Sequence, residues 1–382
     1  MPDSYFFFNT QKTMSKYTNI AAIISIVVLC TVSCSKDQEG NGGTAADSYD
    51  RGVMLADWAD VMIVPALTAY QAATTTLQSA AEAYSEEPSV TTYELLRNQW
   101  QAAYTAWQSV AMYTIGPAEQ LRLGNRTNIY PTNTQLIEAN IDAESFNFEL
   151  PSNMAAQGYP ALEYLLYGDA TVDVAQLANI NSEENRKSFI TALATDIATN
   201  ATTVLQGWQD GYRDTFVAAD GSSATASVNK LTNDYIYYFE KVLRANKVGI
   251  PAGIFSTEPL PQNVEGRFAN GTSKTMLLAA LDAFQHFFNG QYQTDTTRGN
   301  SYASYLDHLG NNDDLATDIN NQLDAARAVA VTLDDDFEQQ VITDNTKMLQ
   351  LYDQLQKVVV LTKVDMMQAL NIKVDYVDAD GD

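Results

Sequence analysis

Tyr93-Glu94-Leu95-Leu96-Arg97-Asn98-Gln99-Trp100-Gln101-Ala102-Ala103-Tyr104-Thr105-Ala106-Trp107-Gln108-Ser109-Val110 decides the fold class. Tyr93, Leu96, Trp100, Ala103, Trp107 and Val110 follow one another at intervals of three or four, which keeps them on one face of a helix. Val228, Leu231, Tyr235, Tyr238, Val242 and Ala245 repeat the rhythm. So do Phe189, Leu193, Ile197, Val204, Trp208 and Tyr212, and again Met348, Leu351, Leu355, Val358 and Thr362. Each stripe must be buried against a neighbour, and convincing period-two strand patterns are scarce. The chain reads as all-α.

Helix ends are legible as well. Ser182 ahead of Glu183 and Glu184 reads as an N-cap followed by first-turn acids. Gly116-Pro117 reads as the stop of the tryptophan helix, and Pro65 as a kink inside a first helix from Tyr49 to Tyr84. The loops of most internal character are 119–133, 141–158 and 248–271. A stop at Gly168 places a seam near 170–185, giving an N-terminal half (48–175) and a C-terminal half (176–382). A helical bundle in each half, the two packed together, is the simplest arrangement.

The 382 residues are 46% hydrophobic, enough for a sizeable core, and Lys+Arg 22 against Asp+Glu 47 gives a net charge of −25. A chain of this sign repels phosphate backbones, which argues against nucleic acid as a partner. His286 and His308 are the only histidines, too few for a His-rich zinc or haem centre. Each reads more simply as a structural residue on a helix.

Near the start, Ile20 to Leu29 is an apolar run too short to span a bilayer but suited to a signal peptide, with Lys12 and Lys16 ahead of it. Met14 is a plausible start. Thr31-Val32-Ser33-Cys34 resembles a bacterial lipobox, with Thr31 where Leu is usual. We therefore read 1–33 as a signal peptide, Cys34 as the lipidated residue and 34–47 as a flexible tether. Ser35-Lys36-Asp37-Gln38-Glu39 resembles the acidic export signal of surface lipoproteins. The expected address is the cell envelope, lipid-anchored to the outer membrane on its surface or periplasmic face. An ordinary secretory signal is the alternative. Once Cys30 leaves with the signal, Cys34 is the last cysteine, so a thiol site in the body is excluded.

The segment Gln157-Gly158-Tyr159-Pro160-Ala161-Leu162-Glu163-Tyr164-Leu165-Leu166-Tyr167-Gly168 carries the most chemistry. It resembles the Gly-x-His-x-x-Glu stretch of the imelysin-like family of bacterial envelope proteins, with Pro160 where the family has histidine. Pro65 to Tyr70, Gly116-Pro117, Ile129-Tyr130-Pro131-Thr132, the Lys247-to-Gly253 loop and the Ala369-to-Asp382 terminus extend the likeness over roughly residues 48 to 382. The resemblance implies an imelysin-like all-α fold, a peptidase label, and a setting of iron or metal uptake, with a divalent metal or iron as the candidate cofactor.

An intact motif would set imidazole and carboxylate on one helix face, where they could share a metal. Proline offers no ligand, and Glu163 alone cannot hold zinc or iron. Glu163 keeps two readings. One is a buried carboxylate satisfied by an Arg or backbone N–H groups. The other is a remnant ligand in a cleft between the halves, where the family's site is thought to lie. Gly158, Tyr159 and Pro160 would border that cleft. Glu119, Arg122, Arg126 and Tyr130, just upstream, are candidates for its wall. By the same resemblance Glu265 and Arg267 are the candidates from the second half. No catalytic residue is assigned.

Other motifs weigh less. Asp378-x-Asp380-Gly381-Asp382 lacks the later ligands of a calcium loop, and Asp313-Asp314 and Asp334-Asp335-Asp336 read as helix caps or solvated ends. The 21 tyrosines invite a sugar-binding reading, but most fall on helical stripes, where core packing explains them. The expectation is a non-catalytic ligand-binding lipoprotein tied to iron or metal uptake, with an outer-membrane transport protein as candidate partner. The rivals are a metallopeptidase and a helical glycan-capture lipoprotein.

Overall fold

The computed structural model describes residues 48–168, 172–292, 299–310 and 314–376. The signal peptide, Cys34, the tether, Asp313 and the Asp378–Asp382 run lie outside the described residues.

The first apolar stripe folds as α1 (Arg51–Asp57), which runs through a π-helical turn (Trp58–Ile63) into α2 (Val64–Glu86). Pro65 sits at the start of α2. A proline cannot donate to the carbonyl one turn back, and the chain meets this with the wider turn just before it. By length and composition Arg51–Glu86 could cross a membrane. Here Trp58, Ile63, Leu67, Leu77 and Tyr84 on it are buried in the protein core.

After α2 come α3 (Val90–Gln108), the short α4 (Pro117–Leu121) and α5 (Leu123–Thr127), then α6 (Thr134–Asp142), α7 (Gly158–Tyr167) and α8 (Val174–Ile180). α9 (Glu184–Gly207) leads through a π turn to α10 (Arg213–Ala218). α11 (Ser227–Tyr237) passes directly into a long π-helix, Tyr238–Gly249. α12 (Thr272–Phe288), α13 (Tyr302–Leu309), α14 (Leu315–Ala330), α15 (Phe337–Val359) and α16 (Met367–Ala369) follow. No strand occurs among the described residues. The fold is all-α.

α2 lies along α3 and α9, and α7 is wedged between α3 and α9. α12 packs on α3 and on α14, while α15 packs on α14 and the long π-helix. The described residues from 48 onward belong to one compact unit, in which α9 from beyond the 170–185 segment packs along α2 from before it. The tryptophan stripe behaves as its spacing requires: Tyr93, Leu96, Trp100 and Ala103 are fully buried. Burying each large apolar side chain contributes about 1.5–3 kcal/mol. Trp100 keeps its polar handle satisfied by donating Nε1–H to the Tyr159 carbonyl at 3.1 Å.

Two helix ends differ from the sequence reading. α3 stops at Gln108, well before Gly116-Pro117, which instead opens α4 with Gly116 at φ +60°. A Cβ on Gly116 would fall 2.2 Å from the Tyr212 ring. Ser182 does not cap α9. Its hydroxyl donates to the Asn179 carbonyl at 2.6 Å, and Glu183 holds the N-cap position without a side-chain bond. The aspartate run does cap: Asp336 accepts from the Glu338 and Gln339 N–H groups at the start of α15.

Candidate functional site

The motif segment begins where α5 and α7 meet. Gly158 has φ +72°, and a Cβ there would lie 2.2 Å from the Thr127 carbonyl oxygen. Only glycine permits that approach. Pro160 occupies the first turn of α7, where its missing N–H costs nothing. Tyr159 stacks flat on Tyr104, ring centroids 4.6 Å apart, and its hydroxyl donates to Tyr70 Oη at 3.3 Å.

Glu163 follows and is 2% exposed. Its Oε1 accepts two backbone N–H groups, from Phe268 at 2.7 Å and Ala269 at 2.9 Å. Burial pushes its carboxyl up to about 8, against the pull of those two donors.

A second buried constellation forms around Glu265. Its Oε1 accepts from Asn128 Nδ2 at 2.7 Å and Gln108 Nε2 at 3.3 Å and lies 3.0 Å from Tyr104 Oη. Its Oε2 pairs with the Lys247 ammonium, which also donates to Gln108 Oε1 at 2.9 Å. Burial lowers the Lys247 ammonium from its ordinary value and the Glu265 charge opposes that. Burial, then the charges of Glu265 and Glu163, push the Tyr104 phenol well above its ordinary value. Tyr104 therefore senses both carboxyls.

A cleft of about 740 Å³ opens beside this constellation. Gln108 and Asn128, which bond Glu265, line it together with Trp107, Tyr130, Tyr237 and Tyr238. The hydroxyls of Tyr130 and Tyr238 are buried and reach no hydrogen-bond partner. Charged lining residues are Glu119, Arg122, Asp234, Lys241 and Asp375. Burial, then the charges of Glu119 and Asp375, push the Asp234 carboxyl up to about 7. Arg122 joins α4 to α5 in the left-handed region, φ 52°, which strains a residue with a side chain. The adjacent Lys241 ammonium lies 3.0 Å from Glu240 Oε1.

The sequence candidates therefore separate. Glu119, Arg122 and Tyr130 lie on the cleft, and Glu265 sits beneath it. Gly158, Tyr159, Pro160 and Glu163 are buried in α7, and none of them lines the cleft. Arg126 pairs with Glu149 and donates to the Leu121 carbonyl; Arg267 pairs with Glu338. Of the two readings of Glu163, the geometry favours the carboxyl satisfied by backbone N–H groups.

The residues present do not fit a divalent metal. Among the described residues no three His, Cys, Asp or Glu side chains form a metal-holding group. Glu163 Oε1 is taken by two N–H donors and Glu265 is neutralised by an ammonium, so neither carboxyl stands ready with a partner ligand for a metal ion.

Lys247, Gln108, Asn128, Tyr104, Tyr238 and Asp234 were not sequence candidates. Tyr104 and Gln108 each follow a residue of the tryptophan stripe, a polar intrusion on a buried face that the pattern could have flagged. Nothing in the spacing pairs Lys247 with Glu265.

Comparison with known proteins agrees with the architecture. The imelysin family model matches residues 63–363. Iron-regulated protein A of Synechococcus elongatus is 22% identical over 177 residues, covering 45% of this chain and 46% of that protein, so the match spans about half its length. A solved imelysin-like protein from Psychrobacter arcticum superposes with a TM-score of 0.65 at 21% identity, over 85% of this chain and 97% of that one. An iron-regulated protein A precursor from Parabacteroides distasonis gives 0.68 at 13%, over 83% and 95%. With the family model spanning well over half of its residues and its helices superposing on solved relatives, the chain belongs to the imelysin family.

Proposed function

We propose that this protein is a non-catalytic ligand-binding component of the cell envelope, associated with iron or metal uptake and lipid-anchored through Cys34 to the outer membrane, and that the cleft above Glu265 holds its ligand. The carrying observation is the cleft itself: aromatic and amide-lined, with two buried phenol hydroxyls that have no partner. A binding site is concave and largely preformed, with a few polar groups to orient its occupant. Hydrolysis would need an activated water or an acid–base pair facing the substrate. Glu163 lies off the cleft and Glu265 is tied to Lys247, so neither fills that role. The iron setting rests on the names of the relatives, and an outer-membrane transport protein is the proposed recipient.

The test is incubation of the full-length protein with unfolded casein, with and without EDTA. No cleavage is expected. Cleavage that EDTA abolishes and a Glu163→Gln variant loses overturns the reading in favour of a metallopeptidase. Iron starvation is expected to raise the transcript, and Cys34→Ala to release the protein from the membrane fraction. An unchanged transcript removes the iron setting, and an unchanged fractionation removes the anchor.

A further inference from the structure

Resting on the binding-component reading, we propose that the cleft takes a neutral, hydroxyl-rich ring ligand, a mono- or disaccharide, rather than a metal ion or a charged carrier. Two hydroxyls in the lining have no hydrogen-bond partner. Tyr238 is 2% exposed, Tyr130 and Tyr238 both line the cleft, and both phenol oxygens are shut off from solvent without a hydrogen bond. A phenol both donates and accepts, which matches a ligand group that does the same. Leaving such groups unmet costs free energy, so an occupant toward which the two phenols turn to form hydrogen bonds is favoured over one that leaves them unmet.

Charge narrows the class. Glu119, Asp234 and Asp375 share the lining with Arg122 and Lys241; the Lys241 ammonium lies 3.0 Å from Glu240 Oε1, a charge contact without hydrogen-bond geometry. The surplus of carboxylates repels an anion such as a phosphate ester or an acidic chelate. The two cations, with the Lys247 ammonium beneath the Gln108 wall, oppose an organic cation. Interspersed charges and side-chain amides suit a neutral ligand with many hydrogen-bonding groups.

The aromatic frame supplies the rest. Tyr237, 44% exposed, meets Tyr376 edge-to-face at 5.3 Å on the lining, with Trp107 and Tyr238 also on it. The exposed Tyr237 ring offers a flat apolar face to the C–H side of a sugar while the amides engage its hydroxyls. Tyr376 is carried by the C-terminal segment, which is pinned to α11: Asn233 donates to the Lys373 carbonyl at 3.1 Å and accepts from the Asp375 N–H at 3.0 Å.

The experiment titrates the full-length protein calorimetrically with a panel of neutral pentoses, hexoses and their disaccharides. The same protein is then titrated with ferric citrate, Zn²⁺ and spermidine. At least one saccharide is expected to bind, insensitive to EDTA. Binding is expected to weaken about tenfold in Tyr238→Phe, which removes one hydrogen bond. Tyr237→Ala, at a half-exposed position that leaves folding intact, is expected to weaken it at least as much. Failure of every saccharide overturns the inference. If ferric citrate, Zn²⁺ or spermidine then binds, the binding-component reading survives with a different ligand. Saccharide binding untouched by either substitution moves the site away from this cleft and equally overturns the proposal.

Discussion

A carboxyl buried against two backbone N–H groups is pulled in opposite directions, and at Glu163 burial wins, with the group pushed up to about 8. Below the ordinary value of 4.5 the carboxyl is protonated both folded and unfolded, and its contribution is fully present. Between 4.5 and about 8 the unfolded chain gives up the proton while the folded one keeps it, so stability falls as pH rises through that window. Glu163→Gln keeps an oxygen for Phe268 and Ala269 and has no proton to lose. Urea denaturation at pH 5 and pH 7.5 should show a shallower pH slope in the variant, by up to about 1.4 kcal/mol per pH unit. An unaltered slope would mean that Glu163 is already ionised in the folded protein.

The end of α7 shows how one element is held by two others. The Leu165 and Leu166 carbonyls have no partner further along α7, and Tyr93 from α3 reaches both at 3.0 Å. Asn181, just after α8, donates to the Leu165 carbonyl at 2.7 Å and to Tyr93 Oη at 2.9 Å. Tyr93→Phe leaves the ring packing and removes these bonds, so a loss of about 1–2 kcal/mol in chemical denaturation is expected. No loss would show that the Leu165 bond from Asn181 suffices and that the Tyr93 hydroxyl adds nothing. Helix ends were also where the sequence was least explicit. α3 ends at Gln108, whose side chain bonds Lys247 and Glu265, a tertiary contact that no local signal announces. Ser182 looked like a cap, but its hydroxyl is taken by the Asn179 carbonyl behind it.

Across the whole molecule, the Lys247–Glu265 pair joins the long π-helix to the 261–271 loop and, through Gln108, to α3. Lys247 is 2% and Glu265 3% exposed, so breaking the pair from one side strands a buried charge. Lys247→Met should cost about 3–5 kcal/mol. The double variant Lys247→Met/Glu265→Gln should recover most of that, because the amide still accepts from Asn128 and strands no charge. A double-mutant cycle of Tm and denaturation midpoints measures this. A double variant as unstable as the single would place the cost in lost packing instead.

The helices and their buried faces are written in the chain alone, because residues three or four apart share a face whatever the neighbours are. The sequence also showed that Pro160 offers no ligand, whereas Gly158, read as bordering the cleft, is instead a position where the fold leaves no room for a side chain. Glu119, Arg122, Tyr130 and Glu265 were legible as site candidates through family likeness, whereas Arg126 and Arg267 went to Glu149 and Glu338. That Glu163 faces backbone donors, that Lys247 neutralises Glu265, and that Tyr238 joins Tyr130 on one cleft follows from the packing of the helices. The reason is separation along the chain. Which charge meets which, and what is left unmet, depends on helices brought together by their apolar faces, and the spacing within each helix is silent about its partner.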